Sequence, residues 1–70
     1  MEDNPRNLSD FGLNLAGVLV DKGMTQKALA QAAGYHRNRI YQLMRTKNPN
    51  KRTVVKLAKA LDIYPSMLVG

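Results

Sequence analysis

Arginine, asparagine and glutamine form paired, coplanar hydrogen bonds, and this chain gathers Arg37, Asn38, Arg39, Gln42 and Arg45 in one stretch, with Tyr41 among them. Arginine can hold O6 and N7 of a guanine through two bonds, and an amide can hold N6 and N7 of an adenine. Each such pair discriminates its base by about 1 to 3 kcal/mol. On a helix of about 3.6 residues per turn with Ile40 and Leu43 turned inward, Asn38 and Gln42 lie near the opposite face, flanked by Tyr41 and Arg45. Arg37 lies nearer the edge, but it stands in the first turn, where a reading helix meets the major groove, and its side chain is long. Arg37, Asn38, Tyr41 and Gln42 are therefore the candidate base contacts.

The charge around this stretch points to the same class of partner. A helix start favours acids, and a cation there costs about 0.3 to 1 kcal/mol, yet His36, Arg37 and Arg39 occupy it. Phosphate nearby would reverse the penalty. From Lys22 to Leu61 the chain carries ten lysines and arginines and no aspartate or glutamate, within a total net charge of +6. Soluble surfaces normally mix the two signs. A one-signed surface fits a polyanion, whose counterions it releases on binding.

Other chemistries lack raw material. With no cysteine and the single histidine His36, the chain cannot assemble a structural zinc site. Its acids are Glu2, Asp3, Asp10, Asp21 and Asp62 and its serines are Ser9 and Ser66, too scattered for carboxylate pairs or a nucleophilic triad. The expectation is a protein that is not an enzyme, binds no metal or other cofactor and takes no small-molecule substrate. The polar start Met-Glu-Asp-Asn-Pro is unlike a secretory signal, and no run approaches the roughly 18 apolar residues of a membrane span. A soluble, cytoplasmic, nucleoid-associated protein that does not bind membrane is expected.

Seventy residues allow one small core, which packing alone must stabilise. Residues 1–8 read as a flexible N-terminal arm and 9–70 as the domain. Ser9 or Asp10 caps a first helix in which Phe11, Leu15, Val18 and Leu19 recur at helical spacing until Gly23. Thr25 caps a second, Gln26 to Ala33, closed by Gly34. A third runs from His36 to about Thr46. After the loop Lys47-Asn48-Pro49-Asn50, a fourth helix buries Val54, Leu57, Ala58 and Leu61, and Tyr64 and Pro65 open a last short one. The predicted fold is all-α, a compact bundle of about five short helices. Its predicted core is Phe11, Leu15, Val18, Leu19, Leu29, Ile40, Leu43, Val54, Leu57, Ala58 and Leu61. The tail Met67-Leu68-Val69 either caps that core or forms a dimer patch.

Two helices joined by a glycine-containing turn, the second rich in amide and guanidinium groups, make a helix-turn-helix. The run Gln26 to Leu43, with Gln26 first, Leu29, small Ala30 at the helix contact, Gly34 in the turn and Ile40 and Leu43 inward, resembles the lambdoid phage repressors, the Cro proteins and the wider Xre-type regulators. Asn48-Pro49 and Thr53 to Leu61 extend the resemblance, which covers about Phe11 to Leu68. Three positions depart from the pattern: Tyr35, where a smaller residue is usual; His36, in place of serine or threonine; and Met44, where glutamate is frequent. Tyr35 is expected to pack outward, and His36 to be a weaker helix cap than serine.

The N-terminus of the second helix, with Thr25, Gln26 and Lys27, is suited to seat a phosphate. The resemblance assigns this contact to Gln26 and base reading to Arg37, Asn38 and Gln42. His36, Arg39, Arg45, Lys47, Asn48 and Lys51 are expected along the sugar-phosphate backbone. Arg52 matches a position from which some relatives enter the minor groove. The resemblance implies a sequence-specific regulator of transcription, most simply a repressor, that inserts its third helix into the major groove. It would bind a pseudo-palindromic double-stranded DNA operator as a homodimer. The alternatives are the antitoxin of a toxin-antitoxin pair and, from a different class, a cationic module that binds nucleic acid or membrane by charge alone.

Overall fold

A computed structural model describes residues 8–69, and in it five helices follow in the order α1 (Asp10–Lys22), α2 (Gln26–Ala33), α3 (Arg37–Leu43), α4 (Lys51–Leu61) and α5 (Ser66–Val69). There is no strand among the described residues. The predicted arm lies outside them except for Leu8, which packs half-buried against the core.

Local chemistry sets the boundaries. The Ser9 hydroxyl accepts the Gly12 N–H at the start of α1, leaving Asp10 in the first turn where its charge suits the helix dipole. Gly23 and Gly34 end α1 and α2 at φ 64° and 79°, a conformation glycine adopts without steric cost. Thr25 caps α2 through the Ala28 N–H, and Asn50 caps α4 through the Arg52 N–H at 2.8 Å. The last short helix is Ser66–Val69. Pro65 stands in the turn before it, and the carbonyls of Tyr64 and Pro65 accept the first helical bonds.

Helix three is shorter than its periodicity predicts, ending at Leu43 instead of about Thr46. Beyond Met44 the chain tightens into bonds three residues apart, from the Arg45 N–H to the Gln42 carbonyl and from the Thr46 N–H to the Leu43 carbonyl. The Thr46 hydroxyl also donates to the Gln42 carbonyl at 2.9 Å, and the Met44 carbonyl turns away to Ser9. His36 stands outside the helix as its N-cap.

All eleven predicted core residues are buried, joined by Ala30, Ala33, Met44 and Leu68. Helix α2 packs against α3 and α4, while α1 and α4 support α5. The apolar tail divides. Leu68 is fully buried and its carbonyl accepts the Asn14 side-chain amide at 2.8 Å, whereas Met67 and Val69 remain exposed. No helix among the described residues is long and apolar enough to cross a membrane.

Candidate nucleic-acid interface

The outer face of α3 carries the residues with base-reading chemistry. Ile40 has no exposed surface and Leu43 only 3%, which turns Asn38 and Gln42 to solvent on the opposite side of the helix. Arg37, Tyr41 and Arg45 are exposed beside them, and Arg39 emerges on the other flank from Tyr41. Helix α3 is capped at its start by a histidine. The His36 Nδ1 accepts the Asn38 N–H at 3.1 Å, and the His36 carbonyl takes the N–H groups of Arg39 and Ile40. This bond uses the imidazole in the form whose Nδ1 is unprotonated. The histidine therefore serves as the N-cap of α3.

The far end of α3 is tied to a different part of the chain. Ser9 donates both its N–H and its hydroxyl to the Met44 carbonyl, at 3.0 and 3.1 Å. Gly12 leaves the room this approach requires, because a Cβ there would fall on the Met44 carbonyl. Sequence reasoning assigns Ser9 only to capping and gives Gly12 no role. The one available signal was a glycine inside a helical run, which costs stability unless close packing needs it.

Besides His36, Arg39 and Arg45 at α3, the predicted backbone contacts and the minor-groove candidate Arg52 lie on three further segments around this face. Thr25 and Lys27 stand exposed at the start of α2, although the Thr25 hydroxyl is already engaged in capping. Gln26 is half-buried, with a side-chain oxygen sealed from solvent and without a hydrogen-bond partner among the described residues. Lys47 and Asn48 are exposed on the loop after α3, and Lys51 and Arg52 in the first turn of α4. Between α2 and the start of α3 lies an open cleft of about 350 Å³, lined by Lys27, Ala30, Gln31, Tyr35, His36 and Arg37.

Tyr35 does not pack outward as predicted. It is half-buried against the core, and the Lys56 ammonium sits 4.8 Å from the centre of its ring. The two did not stand out as a pair in the sequence, since Tyr35 lies in the turn after α2 and Lys56 on α4, and the packing of α2 against α4 brings them together.

Residues 18–68 match the helix-turn-helix family. Among solved structures, the restriction-modification controller protein C.AhdI from Aeromonas hydrophila superimposes with a TM-score of 0.76 at 33% sequence identity. The match covers 90% of this chain and 97% of that one. A search of curated proteins finds no match.

Proposed function

The chain belongs to the helix-turn-helix family, and from that premise we propose that it is a sequence-specific regulator of transcription that reads double-stranded DNA with α3. The observation that carries this reading is the composition of the one face of α3 turned away from the core. Arg37, Asn38, Tyr41 and Gln42 project there from a helix held at both ends. Arg37 suits guanine, and Asn38 and Gln42 suit adenine. Tyr41 offers a ring for contact and a hydroxyl for bonding.

Phosphates on either side of the groove would be held by Thr25, Gln26 and Lys27 from α2, His36 and Arg39 from the start of α3, and Arg45, Lys47, Asn48 and Lys51 beyond it. Such contacts fix position and supply affinity without reading sequence. Arg52, in the first turn of α4, is assigned to the minor groove, where a narrow A·T-rich stretch draws a guanidinium by its potential.

The protein is proposed to bind as a homodimer and to repress by occupying a promoter. Tyr64, Met67 and Val69 leave an apolar patch on and beside α5, with Tyr64 77% exposed, which suits a two-fold contact between copies. Two recognition helices related in this way meet half-sites about one DNA turn apart. The likeness to C.AhdI favours a restriction-modification controller over a phage repressor as the biological setting.

Selection from random duplexes near physiological salt, with excess competitor DNA, tests the proposal. Enrichment of a pseudo-palindrome with half-sites about one helical turn apart is the expected result. Binding that enriches no sequence and simply collapses as salt rises would reduce the protein to a polyanion binder.

A further inference from the structure

We propose that Lys56 is a positioning residue for DNA reading: it clamps the Tyr35 ring and so fixes the direction in which α3 leaves the turn. The inference rests on the reading function proposed above. Lys56 itself lies outside every set of DNA contacts assigned there.

The turn between α2 and α3 is so short that Tyr35 decides its geometry. Gly34 supplies the left-handed step at φ 79°, and the Tyr35 N–H bonds back to the Ala30 carbonyl at 2.8 Å. The next residue, His36, is already the cap of α3. Whatever holds the Tyr35 side chain therefore holds the start of the reading helix. One side of the ring meets the core, and the Lys56 ammonium stands 4.8 Å from its centre, within the range of a cation–π contact.

Lys56 is itself well anchored. It rises from α4, whose row Val54, Leu57, Ala58 and Leu61 is buried, so its backbone moves only with the core. No carboxylate occurs in the sequence from Lys22 to Leu61 to draw the ammonium elsewhere along these helices. Helix α3 packs chiefly on α2. The Tyr35–Lys56 contact thus links the beginning of α3 to α4, as the Ser9–Met44 bonds link its end to α1. Paired hydrogen bonds to bases tolerate displacements of only about 0.5 Å, so a loosened turn should weaken reading before it weakens phosphate binding.

The test compares affinities for the selected duplex and for a scrambled one across a series of salt concentrations. Lys56→Met is expected to lower affinity for the selected duplex about two- to fivefold, the strength of an exposed cation–π contact, while leaving scrambled-duplex affinity and the salt slope unchanged. Lys56→Arg and Tyr35→Phe should retain wild-type reading, and Tyr35→Leu combined with Lys56→Met should be no worse than Tyr35→Leu alone. An equal loss on both duplexes, with a salt slope shallower by about 0.9, would make Lys56 a phosphate contact and overturn the inference. Unchanged affinity for the selected duplex would overturn it too. If wild type selects no duplex, the function proposed above fails, and the clamp is decided on free protein by a thermal-unfolding cycle of the same two positions. Non-additive shifts there support the contact, and additive shifts reject it.

Discussion

Met44 closes α3 by giving its carbonyl to Ser9, thirty-five residues earlier, which donates to it from both its N–H and its hydroxyl. The same hydroxyl accepts the Gly12 N–H, so one side chain starts α1 and anchors the end of α3. Two helices far apart in sequence are thereby held in register at their polar ends, where packing alone is weakest. Gly12 is the necessary companion, because it lets the backbone of α1 come against Met44.

Two glycines of α1 should consequently respond in opposite directions to alanine. Gly17 is exposed with open space around it, so Gly17→Ala is expected to stabilise the domain by about 0.5 to 1 kcal/mol through helix propensity. Gly12→Ala forces α1 away from Met44 and is expected to destabilise by about 1 to 3 kcal/mol. Urea unfolding of the two variants checks both signs. Similar shifts in the two would remove the close approach from the account.

Asp62 ends α4 at φ 59°, the only non-glycine residue with positive φ among those described. A left-handed conformation costs an ordinary side chain about 1 to 2 kcal/mol, and a carboxylate beside a helix C-terminus is unfavourable as well. Asp62→Gly should raise stability by about 1 kcal/mol, measured as an increase in Tm. No increase would mean that the carboxylate compensates locally for its strained backbone.

The exposed residues of the C-terminal patch make a prediction about assembly. Tyr64→Ser together with Met67→Ser removes apolar surface that contributes little to the core, so helical content and Tm should stay near wild type. Sedimentation equilibrium should then show monomers, and the selected palindrome should be bound no better than its isolated half-site. A double variant that still sediments as a dimer would place the two-fold contact elsewhere.

Arg52→Ala separates minor-groove attraction from simple charge loss. If the guanidinium sits in a narrow groove, affinity should fall more for operators with A·T-rich flanks or spacers than for G·C-rich ones, by about threefold or more in ratio. Equal losses would return Arg52 to the set of phosphate contacts.

Most of the framework was legible in the sequence because it is written in local rules. Thr25, Gly34 and the spacing of Ile40 with Leu43 act within a turn or two of themselves, and the structure puts each in its predicted place. The shortened end of α3 and the half-buried Tyr35 were not legible. Both depend on partners remote in the chain: Ser9 takes the Met44 carbonyl, while α4 brings Lys56 to the Tyr35 ring. Periodicity could show which face of α3 is apolar, but not where a carbonyl leaves the helix for a distant donor. The His36 cap lay between these cases. Its position was readable, whereas the bond from the Asn38 N–H to Nδ1 follows from a side-chain orientation the sequence does not encode.

The central claim is that Asn38 and Gln42 read bases while the surrounding cations only hold the backbone. Its most direct test is the affinity of Asn38→Ala and Gln42→Ala for the selected duplex and a scrambled one, measured over a range of salt. The account predicts a loss of about 1 to 3 kcal/mol for each variant on the selected duplex, unchanged binding to the scrambled duplex and an unchanged salt slope. Parallel losses on both duplexes, or none on either, would contradict it.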